Sequence, residues 1–169
     1  GCTKEGDLVA YEMEGDSDTG AYVSWGLTVK DRVPVHATGP YFVPHVETKA
    51  RGIFTNGTPA GAFRGFGIPQ AAIAHDNLMD RMAEAIGMDP LEFRLRNAIR
   101  KGQETATGQL LEYSAGLDQC LEALRDTWQK ARAAAEKFNS ETDGVKRRGV
   151  GGGCMWYGCG NTSLSNPST

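Results

Sequence analysis

Strand-forming residues dominate the first third of the chain, in three runs separated by polar turns. The runs cover residues 7–14, 21–30 and 46–54, and the segment 15–20 between the first two is rich in Gly, Asp and Ser. Because these residues favour turns, the pattern predicts a hairpin with a long loop, followed by a third strand. The sequence therefore predicts a small, mostly antiparallel sheet.

Three stretches with helical spacing of apolar residues follow the strands. The first covers residues 69–86, where Pro69 suits the first turn and Gly87 ends the helix. Asp89 is a suitable N-cap for a second helix that starts at Pro90, and the third helix covers residues 117–138. The sequence thus predicts three helices after the sheet.

The end of the chain adds a glycine-rich run at residues 148–160, in which Val150, Trp156 and Tyr157 favour a final strand. Strands that precede helices, without alternation, are typical of an α+β fold. The predicted sheet is small for 169 residues, and Gly1 stands where an initiator Met would be. We therefore expect a partial domain, an internal piece of a larger subunit.

Charge and composition narrow the class of protein. The chain is 40% hydrophobic, has a net charge of −3, and contains no run of five like charges. This balance argues against nucleic acid or an anionic membrane as a partner. Its four cysteines fit no zinc pattern and suggest reduced thiols in the cytoplasm, and its three histidines are isolated along the sequence.

The loop at residues 57–67 is the densest concentration of unusual residues. Its glycines allow a ligand to approach the backbone closely, Arg64 provides a cation, and Phe66 provides a flat face for a planar ring. The loop lacks the third glycine of a dinucleotide fingerprint and the Lys-Ser or Lys-Thr of a P-loop. Residue chemistry alone leaves open a plain glycine-rich turn whose phenylalanines fill the core.

Other polar residues give weaker signals. No nucleophile with an adjacent base stands out, so we expect no catalytic residue in this chain. An arginine cluster on the two middle helices suits either a phosphate or pairing with acids, and pairing is the favoured interpretation. The cluster consists of Arg81, Arg94, Arg96 and Arg100.

Several motifs occur in order along the chain. They are Asp18-Thr19-Gly20-Ala21-Tyr22, His36-Ala37-Thr38-Gly39-Pro40-Tyr41, Pro59-Ala60-Gly61-Ala62-Phe63-Arg64-Gly65-Phe66-Gly67, Gly87-Met88-Asp89-Pro90 and Thr107-Gly108-Gln109. Together they resemble the molybdopterin-binding subunit of the molybdenum hydroxylases, the family of xanthine dehydrogenase and aldehyde oxidase. The resemblance spans residues 3–125 and extends to the region after Gly149.

The resemblance implies roles for particular residues. Arg64 matches an arginine whose backbone lies beside the molybdenum centre, so Phe63, Arg64 and Gly65 are expected to contact the cofactor. Phe66 matches a phenylalanine that stacks on the substrate ring. Arg32 is similar in position to an arginine that contacts purines, and Asp76 stands where the family often has a supporting glutamate.

The resemblance also implies an activity and its cofactors. The expected reaction is hydroxylation of a purine such as xanthine or hypoxanthine, with water as the oxygen source. An aldehyde or another N-heterocycle is the alternative substrate, and a non-catalytic pterin-binding module is the alternative function. The expected cofactor is molybdenum-molybdopterin, with the cytosine dinucleotide form as an option.

The resemblance further implies an organisation. Iron–sulfur clusters and FAD are expected on other domains or subunits of an oligomeric enzyme, and the isolated chain is expected to be inactive. Residues 1–115 would belong to a first molybdopterin-binding domain. Residues 116–169 would form a linking helix and the start of a second.

Overall fold

The computed structural model describes residues 1–158, which form a mixed helix-and-strand fold, as predicted. Within this part of the chain no helix is long and apolar enough to cross a membrane. The elements, in chain order, are β1 (Ala10–Gly20), α1 (Gly26–Val35), β2 (His45–Phe54), α2 (Ile68–Ile86), α3 (Pro90–Asn97) and α4 (Leu117–Glu141).

The sheet consists of β1 and β2, and these strands are parallel. The register runs from Ala10 opposite His45 to Gly20 opposite Phe54, with an irregularity after Asp18. The prediction of a mostly antiparallel sheet was therefore wrong. Parallel neighbours cannot be joined by a tight turn and need a crossover connection, which α1 provides.

Helix α1 occupies much of the segment predicted as the second strand. It packs so closely on the sheet that a Cβ built on Gly52 would lie 2.6 Å from Leu27 Cδ2. The segment predicted as a turn, residues 15–20, instead continues β1. Strand-forming residues such as Thr28 and Val29 adopt a helix here because the crossover requires one.

The predicted final strand is also absent from the described residues, since 148–158 form no strand. Glycines at 151–153 give a strand no side chains to pack. Side chains hold the segment instead: Asn139 donates to Arg148 O and accepts from Arg148 N, each at 2.8 Å. The last two predicted strand residues lie outside the described part of the chain.

The three predicted helices are present as α2, α3 and α4. Gly87 ends α2 in a left-handed conformation, with φ 71°. The Asp89 carboxylate caps α3 by accepting from Leu91 N at 2.8 Å and Glu92 N at 3.3 Å. These ends are set by local chemistry, which explains why the sequence predicts them well.

One buried cluster joins the elements. It includes Tyr41, Met79 and Phe93, and it extends to Leu121 on α4 and to Cys154 near the end of the described chain. Cys2, Cys120 and Cys154 are free thiols. The cluster therefore connects the segment around Cys154 to α2, α3 and α4.

Candidate functional site

The glycine-rich loop leaves the sheet at the carboxyl end of β2, beside the carboxyl end of β1. Ala60 N donates to Thr19 O at 3.0 Å, and Ala21 N donates to Gly57 O at 3.1 Å. A Cβ on Gly20, whose φ is 73°, would lie 2.3 Å from Thr58 O. The fold thus fixes the start of the loop at the sheet edge where α/β proteins commonly bind ligands.

Three consecutive residues of the loop have left-handed backbone. They are Gly65 with φ 94°, Phe66 with φ 47° and Gly67 with φ 98°, and Phe66 is the one non-glycine residue with positive φ in the described chain. A side chain in this conformation costs about 1–2 kcal/mol. Strain of this kind is concentrated at functional sites, where the surrounding structure maintains it.

The outer part of the loop faces solvent. Phe63 is 83% exposed, and Arg64 is exposed and forms no ion pair within residues 1–158. The backbone N–H groups of residues 61–65 donate to no acceptor in this part of the chain. Exposed amides beside a cation suit a polar, anionic group such as the phosphate-bearing pterin, so the loop fits the expected cofactor.

Gly67, the residue after Phe66, packs against α1 beside Arg32. A Cβ on Gly67 would lie 2.7 Å from Val29 O and 3.4 Å from Arg32 Cβ, so the loop presses directly on α1. The Phe66 ring also meets the edge of Trp25, with ring centroids 6.2 Å apart. The loop directly after Phe66 therefore packs against the helix that carries Arg32, although the two residues lie on different elements.

Arg32 is only 8% exposed, because the end of the described chain covers it. Its Nη2 donates to Gly158 O at 2.8 Å, and its Cζ lies 5.7 Å from the centre of the Tyr157 ring. The Arg32 guanidinium is therefore already bound by protein groups before any substrate arrives.

His36, which is isolated from other histidines in the sequence, lies beside Arg32 in the structure. Its Nε2 accepts from Gly158 N at 3.0 Å, and its ring stacks on Tyr157 with centroids 6.1 Å apart. Burial lowers the pKa of His36, so its ring is neutral near neutral pH. The signal that sequence reasoning could have used is its spacing of one helical turn from Arg32.

Asp76, expected to be a supporting residue, joins α2 and α3 to two irregular segments, those of Tyr41 and Cys154. Its carboxylate accepts from Tyr41 Oη at 2.8 Å, from Arg94 Nη2 at 3.2 Å and from Cys154 N at 2.6 Å. Burial opposes the charged form of Arg94, but the carboxylates of Asp76 and Asp80 outweigh it and raise the Arg94 pKa. Asp76 therefore anchors the segment that covers Arg32.

The other arginines of the middle helices divide between acids and carbonyl groups. Arg96 pairs with Asp7 at 2.7 Å. Arg100 donates to Leu95 O at 2.9 Å and to Ala98 O at 3.2 Å, which satisfies carbonyls at the end of α3. Arg100 Nε also lies 3.9 Å from Asp118 Oδ2, so pairing with acids is confirmed for Arg94, Arg96 and Arg100.

Side chains of the described residues form no cluster of three or more His, Cys, Asp or Glu that could hold a metal ion. In the arrangement that the resemblance implies, the metal is carried by its organic cofactor and the protein contacts that cofactor. The exposed amides and Arg64 are compatible with this arrangement.

The comparisons with known proteins point to one family. Residues 1–98 match the family model described as the molybdopterin cofactor-binding domain. The large molybdopterin subunit of nicotinate dehydrogenase from Eubacterium barkeri is 48% identical over 126 residues, covering 75% of this chain and 30% of that protein. The molybdenum-binding subunit of xanthine dehydrogenase from Escherichia coli is 38% identical over 158 residues, covering 93% and 21%.

A solved structure agrees with these relatives. Aldehyde oxidoreductase from Desulfovibrio gigas has a TM-score of 0.77 and 37% identity, covering 80% of this chain and 15% of that one. The chain thus spans less than a third of each relative. By its match over residues 1–98, the chain belongs to the molybdopterin cofactor-binding domain family of the molybdenum hydroxylases.

Proposed function

We propose that this chain forms one wall of the substrate-oxidising site of a molybdenum hydroxylase. The observation that carries the proposal is the strained backbone of Phe66, which is held between two left-handed glycines at the carboxyl edge of the sheet. When bound, the molybdenum-molybdopterin group would supply the hydroxylation chemistry, with water as the oxygen source, and would accept the electrons. The residues of this chain bind and orient what lies next to it.

Phe63, Arg64 and Gly65 are proposed to contact the cofactor, with the backbone of Arg64 nearest the molybdenum. The support is the exposure of Phe63 and Arg64 together with the unused N–H groups of residues 61–65. A rigid set of amides can hold an anionic group without rearranging, which favours tight binding.

Phe66 and Arg32 are proposed to act on the substrate. The Phe66 ring can stack on a planar heterocycle. The residue after it, Gly67, packs on α1 at Arg32. Negative charge that develops on a ring during attack is stabilised by a cation fixed beforehand in a poorly solvated place. Arg32, which is buried on α1, is such a cation.

An electron-poor N-heterocycle is the substrate class that these two residues favour. A purine such as xanthine or hypoxanthine remains the expectation from sequence. A pyridine carboxylate is the second candidate, because the relative at 48% identity is named for nicotinate and a cation also suits a carboxylate. An aldehyde gains least from Arg32, since it has no ring to carry charge.

The organisation of the whole protein is part of the proposal. Residues 1–115 are assigned to a first molybdopterin-binding domain, supported by the family match, and residues 116–169 to a linking helix and the start of a second. We also propose that the whole enzyme is oligomeric and that its iron–sulfur and flavin groups lie on other domains or subunits. A cytoplasmic location is proposed as well, supported by the free thiols. A pterin-binding module without catalysis is the alternative.

The test replaces Arg32 in the molybdenum-loaded enzyme with Met, which removes the charge, or with Lys, which keeps it. Turnover is measured with hypoxanthine, nicotinate and benzaldehyde. We expect Arg32→Met to lower kcat/KM for the preferred heterocycle by roughly 10²–10³, relative to benzaldehyde. Arg32→Lys should retain part of the activity on the heterocycle. An unchanged ratio at unchanged molybdenum content would remove Arg32 from the substrate site.

A further inference from the structure

Both backbone polar groups of Gly158 are bound by side chains at the C-terminal end of α1, Arg32 in its last turn and His36 at its C-cap. Arg32 Nη2 donates to the Gly158 carbonyl at 2.8 Å, and the Gly158 N–H donates to His36 Nε2 at 3.0 Å. Arg32 and His36 are four positions apart, so they lie one above the other on the same face. Both polar groups of a single residue are therefore satisfied by two neighbouring side chains.

This geometry fixes the protonation of the His36 ring. Since Nε2 accepts a hydrogen bond, the neutral ring carries its proton on Nδ1. His36 Nδ1 lies 2.9 Å from Arg32 O and donates to it. The imidazole thus bridges the backbone of Arg32 and Gly158, the residue to whose carbonyl the Arg32 side chain donates.

Packing around the bridge leaves little freedom. The Tyr157 ring stacks on His36 and lies against the Arg32 guanidinium, and a Cβ on Gly158 would come 3.3 Å from His36 Nε2. His36 is 3% exposed and Arg32 is 8% exposed. A shift of the Gly158 backbone would therefore take away an acceptor of the Arg32 guanidinium.

We propose that His36 is a positioning residue for the Arg32 guanidinium. By accepting from Gly158 N–H, it fixes the Gly158 carbonyl to which Arg32 donates. The inference rests on the role proposed above for Arg32 at the substrate. His36 itself does not touch the substrate. Its loss should act on the rate of oxidation of a heterocycle, and it should leave the cofactor in place.

Two substitutions separate the two hydrogen bonds of His36. The amide of His36→Asn can reproduce the Nδ1 donor and has no acceptor at the position of Nε2. The longer His36→Gln can place its amide oxygen near the position of Nε2 and accept from Gly158 N. His45→Asn, at an exposed position on β2, is the matched control.

The first measurement is amide hydrogen exchange over residues 155–158 in the molybdenum-loaded enzyme. Loss of the acceptor should speed exchange at Gly158 roughly five- to hundredfold in His36→Asn, with protection largely restored in His36→Gln. His45→Asn should leave it unchanged. Equal exchange in His36→Asn and the unmodified enzyme would overturn the proposal.

The second measurement is kcat/KM for the preferred heterocycle relative to benzaldehyde, with Arg32→Met measured alongside. His36→Asn should lower this ratio about tenfold or more through kcat, and His36→Gln should recover most of it. If Arg32→Met lowers the ratio and His36→Asn does not, the positioning role is wrong and the role of Arg32 stands. If neither lowers it, both roles are wrong, while the exchange data still report the His36–Gly158 contact.

A third measurement covers the case in which His36→Asn does not fold. Protonation of His36 removes the same acceptor, and the groups that face it are Arg32 on α1, His75 on α2 and Tyr157. The ratio of kcat/KM for the heterocycle to kcat/KM for benzaldehyde should decrease as the pH is lowered in the unmodified enzyme. It should be independent of pH in His36→Gln, whose side chain does not titrate. Parallel pH profiles for the two proteins would overturn the proposal.

Discussion

The Arg94 guanidinium and the Asp76 carboxylate form an ion pair inside the molecule. Arg94 Nη2 lies 3.2 Å from Asp76 Oδ1, and only 2% of the Arg94 side chain is exposed. The pair joins α2 to α3, and Asp76 also receives hydrogen bonds from Tyr41 and Cys154. Helix packing and the position of the segment that covers Arg32 therefore depend on one carboxylate.

Replacing Arg94 with Met should be strongly destabilising, because Asp76 would lose its buried counter-charge. We expect a loss of about 3 kcal/mol in the free energy of unfolding, at the low end for a broken buried pair, because Asp76 keeps the other two donors. Arg96→Met is the control: its pair with Asp7 is about half exposed, so water and salt screen it and its loss should lower the free energy of unfolding much less. Equal losses by chemical denaturation would contradict the prediction.

Gly67→Ala should disturb the contact between the loop and α1. A methyl group there meets Val29 O at 2.7 Å, in addition to the cost of a left-handed backbone. Gly87→Ala carries the same backbone cost with no atom within 4 Å. We expect Gly67→Ala to lower the free energy of unfolding by about 1–3 kcal/mol more than Gly87→Ala. Similar values for the two variants would show that the loop moves freely.

Phe66→Ala should weaken binding of ring substrates and leave molybdenum content intact. Stacking contributes about 0.5–1.5 kcal/mol beyond area burial, which corresponds to a KM about three to ten times higher. Tyr113→Ala removes an aromatic ring that is 89% exposed in the loop before α4, and it should change nothing. Steady-state kinetics with unchanged KM for every ring substrate would place Phe66 outside the site.

Stability should decline as the pH falls below about 6.5, the ordinary pKa of histidine. Burial lowers the pKa of both His36 and His75; at His75, Asp76 opposes the shift whereas Arg94 adds to it. Below the ordinary value the unfolded chain binds protons that the folded chain resists, so unfolding becomes easier. Thermal unfolding at several pH values should show a slope that is smaller in His36→Gln and unchanged in His45→Asn. Identical slopes in all three proteins would show that His36 contributes nothing.

The sequence alone determined the features that depend on neighbouring residues. Pro69, Gly87 and Asp89 set the ends of α2 and α3 by local backbone chemistry, and the apolar spacing predicted α4. The motif at residues 59–67 carried the family resemblance, which the match over residues 1–98 confirms. Residue types there also suggested which side chains could meet a cofactor or a ring.

Only the tertiary structure decided how distant segments meet. Strand direction depends on the partner, so β1 and β2 became parallel and strand-forming residues such as Val29 entered a helix that crosses between them. Residues 148–158 lack a partner strand within the described chain and are held by side chains. His36 acquired its contacts because the chain returns at Gly158, and no pattern of local spacing encodes that return.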